Sequence, residues 1–199
     1  MESHFRVYWC LGILLLSSYL ASAQETIVSF RNDIMPILSR GGCNTGGCHG
    51  HRDGKGELRF SLWGEKPGED HKALLEGARR VKLSSPAASW ILRKPTLQMK
   101  HEGKERFNLE SPEYSLLLRW IEQGAVDDYG GAARLRSLQV TPDSAILSEP
   151  QRSLQLKVWA TFEDGERRDV TYWATYSLSN LLAEIDPKGK VTFLKPGET

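Results

Sequence analysis

Apolar residues recur at two different spacings along this chain, and the change falls near residue 130. Before it the spacing is helical. Phe30, Ile34, Ile37 and Leu38 form a stripe that predicts a helix over Ile27 to Leu38, with Pro36 predicting a kink or an early end. Ser111-Pro112-Glu113 opens a second helix, which carries Leu117, Trp120 and Ile121 on one face and stops at Gly124. The same start signal, Ser85-Pro86, precedes Ala87 to Arg93, and His71 to Glu76 reads as a helical turn or two. Two loops interrupt these elements: the glycine-rich run from Gly41 to Gly50, and the polar run from Leu97 to Gly103.

Beyond the change the spacing is that of strands. Gly130-Gly131-Ala132-Ala133 reads as a linker, assigned to 130–136. Leu154, Leu156, Val158, Ala160 and Phe162 alternate with polar or exposed-type positions and predict one half-buried strand. Asp164-Gly165 supplies a hairpin turn. Val170, Tyr172 and Tyr176 surround a further short strand, and Pro187-Lys188-Gly189 turns the chain into Val191-Thr192-Phe193. The expectation is a mainly α region followed by an all-β sandwich.

Composition narrows the class. The 199 residues carry 26 Lys and Arg against 25 Asp and Glu, a net charge of +1. That balance gives no support for nucleic-acid binding, and a hydrophobic fraction of 40% argues against global disorder. Val7 to Leu16 is almost continuously apolar behind Arg6, and Ala21-Ser22-Ala23 fits a signal-peptidase site. Spanning a bilayer takes about 20 apolar residues, more than this run supplies. The expectation is a cleaved leader over 1–23, export to the periplasm or cell surface, and no stable membrane span afterwards. Cys10 falls in the leader, which leaves Cys43 and Cys48.

Those two cysteines frame Cys43-Asn44-Thr45-Gly46-Gly47-Cys48-His49. Two thiols that reach one porphyrin edge, with a His directly after the second, suit covalent haem, although the usual form has two intervening residues rather than four. Gly46 and Gly47 offer the freedom for the longer loop to fold back. A local disulfide fits the same residues, as does a zinc site using Cys43, Cys48, His49 and His51. If haem is held, His49 is the proximal ligand, and Met99 and His101 are the donors in the loop between the later helices. His51 and His71 are weaker candidates. No nucleophile and base pair stands out, so no catalytic residue is assigned.

The run Phe30-Arg31-Asn32-Asp33-Ile34-Met35-Pro36-Ile37-Leu38, followed by Cys43 to Gly50, resembles the planctomycete-type cytochrome c domain. Gly54-Lys55-Gly56, Phe60-Ser61-Leu62, Leu92 to Thr96, His101-Glu102-Gly103 and Trp120 to Ala125 continue the resemblance in order. It implies a cytochrome c-like domain over 24–129, with haem c on Cys43 and Cys48, His49 as proximal ligand, and His101 as distal ligand with Met99 the alternative. The second part, 137–199, resembles a bacterial Ig-like domain of group 2 through Leu138 to Pro142, Ala160 to Gly165, Arg168 to Thr171 and Ile185 to Val191. This implies a truncated Ig-like sandwich and the N-terminal piece of a larger exported protein. The function implied is an exported electron-transfer module with an unidentified redox partner and cell-surface contacts through the Ig-like part. The rival is a surface adhesion or spacer protein with a Cys43–Cys48 disulfide.

Overall fold

The computed structural model describes residues 26–198. The expected leader, its cleavage site and Cys10 lie outside the described residues. No helix among them is long and apolar enough to cross a membrane.

Ser29 starts the first element by reciprocal capping. Its hydroxyl accepts from the Asn32 amide at 2.9 Å, while the Asp33 carboxylate accepts from the Ser29 amide at 2.8 Å. A wide π-helical turn, Phe30–Ile34, then runs into α1, Met35–Arg40. Pro36 sits at the start of α1, where the hydrogen-bond ladder passes from the π to the α register. The predicted kink is therefore a change of helical pitch ahead of the proline. Helix α2 is Pro67–Leu75, α3 is Trp90–Arg93 and α4 is Pro112–Glu122. Ser111 caps α4 as its sequence predicts, accepting from the Tyr114 amide at 3.2 Å.

The expectation of a mainly α region followed by an all-β sandwich is not met. The described chain is 24% helical and 16% strand, so neither half is dominated by regular structure. The amphipathic period is sustained over three turns only in α4. Elsewhere Pro36, Pro86 and the glycine-rich loop break it, and chained turns carry the backbone instead. Phe30, Ile34, Leu74, Leu92, Leu117 and Trp120 form a buried core all the same.

Strands β1 (Leu135–Thr141), β3 (Lys157–Phe162) and β4 (Arg167–Asp169) make one antiparallel sheet in the order β1-β3-β4. Strands β2 (Ser153–Gln155), β5 (Ala183–Ile185) and β6 (Lys190–Phe193) make another in the order β2-β6-β5. The single strand expected over 153–162 is thus divided. Leu156 leaves the ladder, donates to the Gly189 carbonyl at 2.9 Å, and passes the chain from one sheet to the other. Burial alternates in β3, where Val158, Ala160 and Phe162 are buried, but not in β2, where Ser153 and Leu154 are both half-buried. The strand expected around Val170 to Tyr176 is a turn, with the Trp173 and Ala174 amides both donating to the Val170 carbonyl.

The two regions are bonded together behind the glycine-rich loop. Arg40 pairs with Glu113, which is 4% exposed, and stacks on the Tyr172 ring at 4.0 Å. The Tyr172 hydroxyl donates to the same carboxylate at 2.9 Å, and Arg168 reaches Asp33 at 3.1 Å. Trp173 packs against the core around Phe30. The linker expected at 130–136 is tied down as well, since the Asn32 side-chain Nδ2–H donates to the Ala133 carbonyl at 2.9 Å.

Candidate functional site

Gly41 ends α1, and the chain enters a loop that closes on itself. The Cys43 amide donates back to Leu38, the Cys48 amide to Thr45, and the His49 amide to the Cys43 carbonyl at 2.9 Å. That last bond brings the two ends of the six-residue span together, so the extra residues fold outward around Gly46 and Gly47. Gly50 closes the loop by close approach: a Cβ there would lie 2.1 Å from the Asn44 carbonyl oxygen. Both thiols stand free of a disulfide.

Cys43, Cys48 and His49 line one wall of a pocket with about 730 Å³ of empty space, its mouth included. Its floor is apolar, formed by Leu38, Leu58, Phe60, Leu74 and Leu117. A later stretch of chain completes the lining through Trp90, Ile91, Lys94, His101 and Arg106, the last of which lies against the Cys loop. Met99 is half-buried and does not line the pocket.

The two imidazoles are held alike. The His49 Nδ1–H donates to the Lys55 carbonyl at 2.9 Å and to Leu58 at 3.2 Å, and the His101 Nδ1–H donates to Lys104 at 2.8 Å. A carbonyl only accepts, so each Nδ1 carries a proton, and neither Nε2 makes a hydrogen bond among the described residues. Burial pushes the His49 imidazole below its ordinary value against the two carbonyl bonds, and the nearby His101 and Lys94 push the same way. A neutral ring with its outer nitrogen unbonded is the form that ligates a metal. The His101 ring lies flat on its own loop because Gly103 has no side chain; a Cβ there would be 2.7 Å from Cε1.

Burial also pushes the Cys43 thiol up to about 11, with Arg106 opposing. The Arg106 guanidinium lies 3.6 Å from the Cys48 sulfur. Arg80 is clamped by the carbonyls of Ala73, Glu76 and Glu57. Three cations and no carboxylate therefore line the pocket.

Neither a protein-family model, nor a curated protein, nor a solved structure matches this chain. The site must be read from its own chemistry.

The remaining candidates go elsewhere. The His71 ring is buried against Phe30 and Trp120, at 4.9 and 5.9 Å, and its Nε2–H donates to the Ala125 carbonyl at 2.7 Å. His51 is exposed and accepts from the Asp53 amide. Among the described residues no three His, Cys, Asp or Glu side chains converge as a metal cage. Arg80, Trp90, Lys94 and Arg106 escaped the sequence reading. Their signal was available in the clustering of charge, which a chain-wide balance of +1 conceals.

Does the pocket suit haem? Its lining is largely apolar, and both thiols and both imidazoles whose Nε2 is unbonded belong to pocket-lining residues. Its cations answer the two carboxylates that a haem carries. The residues present fit the group.

Proposed function

We propose that this protein is an exported c-type cytochrome module that holds one covalent haem and passes single electrons. The observation that carries the reading is the convergence of Cys43, Cys48, His49 and His101 on one apolar pocket that no carboxylate enters. The ordered resemblance from Phe30 to Ala125 supports the same reading.

Bound haem would supply reversible one-electron chemistry at its iron. Cys43 and Cys48 would fix it covalently from the loop. His49 would take the proximal position, oriented by the Lys55 and Leu58 carbonyls, which also raise the basicity of its Nε2. His101 would take the distal position, oriented by the Lys104 carbonyl. Met99 is the weaker candidate for that position because it stands off the pocket wall. Leu38, Leu58, Phe60 and Leu117 would exclude water, which together with two imidazole ligands sets the potential.

The test is expression of the full chain in a host with working cytochrome c maturation. A haem-sized gain in mass, a pyridine haemochrome spectrum and haem staining after denaturation are expected. A loss of two hydrogens without haem would instead identify the disulfide reading. Replacing His101 with Ala should convert a low-spin spectrum to a high-spin one, while Met99→Ala should leave it unchanged. The opposite pattern assigns the distal position to Met99.

A further inference from the structure

The pocket wall supplied by residues 79–106 has a charge that the molecule as a whole does not. Between residues 79 and 106 the chain carries eight Lys and Arg against two Glu, a net +6 within a protein of net +1. The remainder is therefore net −5, and the molecule is strongly polarised. The ion pairs sharpen the contrast. Arg40, Lys66, Arg152, Lys157 and Arg168 each pair with a carboxylate, and all lie outside this stretch. Among the described residues none of the eight cations within it forms an ion pair.

Arg80, Lys94 and Arg106 line the pocket, and others adjoin its lining residues. Arg79 and Lys94 flank the pocket-lining Trp90 ring at 5.6 and 4.6 Å, and Lys100 and Lys104 bracket the pocket-lining His101. Arg79, Lys100, Lys104 and Arg106 are exposed. Like charges held together without counter-charges repel one another, and an oppositely charged surface relieves that cost on docking.

We propose that this wall docks an acidic electron-transfer protein over the pocket mouth; the inference rests on the haem reading for what the docked pair exchanges. Aliphatic groups lie among the cations, with Leu83 57% and Leu97 52% exposed, and Trp90 is half-exposed. Apolar and aromatic groups among cations suit a protein interface, whereas a phosphate backbone makes no use of exposed leucines. The stretch is also too irregular for a membrane-surface helix, since its one α-helix, α3, has four residues.

The probe is an acidic flavodoxin in its fully reduced form, mixed with the oxidised exported protein in stopped flow. Electron-transfer rate should fall at least about tenfold between ~0.01 M and ~0.15 M salt, as the screening length shrinks from about 30 Å to about 8 Å. The triple variant Arg79→Glu, Lys82→Glu, Lys100→Glu should lose a similar factor at low salt and most of the salt dependence. Its reduction by uncharged small reductants should match the parent. None of the three side chains lines the pocket. A salt-independent rate, or an unchanged rate in the triple variant, overturns the proposal. Retention of the haem-free protein on immobilised flavodoxin at low salt tests docking separately, so a failure of haem attachment is not confused with a failure of docking. Tighter retention on duplex DNA or on anionic vesicles would reassign the wall to another class of partner.

Discussion

His71 and the pair His49 and His101 occupy two regions that resemble each other until the space around them is considered. In both, an imidazole lies among apolar groups and donates to a backbone carbonyl. Around His71 the volume is filled by Phe30 and Trp120, which are fully buried. Around His49 and His101 it is empty, and thiols and cations line it. The nitrogens differ too. His71 spends its outer Nε2 on Ala125, whereas His49 and His101 spend the inner Nδ1 and leave the outer nitrogen unbonded. A hydrogen-bonded histidine is thus not by itself structural. What distinguishes a site is an open volume together with the nitrogen that remains.

The largest effect expected from this difference is all-or-none. Replacing Cys43 and Cys48 together with Ser should abolish covalent haem, while His71→Gln should retain it at reduced stability. Mass spectrometry of both exported variants decides the matter, and haem retained by the double variant sinks the reading. Next comes packing. In the filled region Trp120→Ala should cost about 3–5 kcal/mol in urea unfolding. Leu58→Ala, beside the empty pocket of haem-free protein, should cost roughly 1–2 kcal/mol because less contact is lost. Equal costs would mean that the pocket closes when no ligand is present.

The Cys43 thiol probes how dry the open region is. Its folded value near 11 exceeds the ordinary 9.0, because burial disfavours the thiolate. An acid whose folded value is raised stabilises the fold below the unfolded value and loses that contribution as pH climbs. Haem-free protein should therefore hold its stability up to about pH 9 and lose about 2 kcal/mol by pH 11, and Cys43→Ala should flatten this loss. Urea titrations at several alkaline pH values measure it. A parent and variant that decline in parallel would show a pocket wet enough to ionise the thiol freely.

Much of this was legible in the residues, and the exceptions have physical reasons. The Ser111 cap, the Asp164-Gly165 hairpin and the turn into Val191 are local signals that held, whereas Ser85 makes no side-chain cap and the helix expected over 87–93 is split into a 3₁₀ turn and the four-residue α3. The strand over 153–162 was misread because alternation reports which side is buried, not which sheet receives the hydrogen bonds. The mainly α expectation failed because apolar stripes fix what is buried, while prolines and glycines decided how little of it was helix. The cluster of Cys43, Cys48 and His49 was visible as one motif. Lys94 and Arg106 were not, since they join it only through the folding of a stretch some fifty residues later.

Arg106 carries the smallest effect and the finest distinction between the two regions. His71 packs on Phe30 and Trp120, whereas the Arg106 guanidinium lies 3.6 Å from the Cys48 sulfur. It also borders His101, since a Cβ at Gly103 would fall 3.4 Å from Arg106 Nη2 and 2.9 Å from His101 Nε2. No carboxylate among the described residues pairs with it. A fixed positive charge beside the ligand shell disfavours the more positive, oxidised iron, so it raises the reduction potential. Arg106→Gln should shift the oxidised-to-reduced ratio by on the order of tenfold toward the oxidised form, a fall of about 59 mV for one electron. Arg106→Lys should preserve most of the parent value, because charge rather than the guanidinium fork is at work. Spectroelectrochemical titration of the three proteins separates the cases. A Gln variant with the parent potential would mean that water screens Arg106, and that the pocket mouth there is open to solvent even when the site is filled.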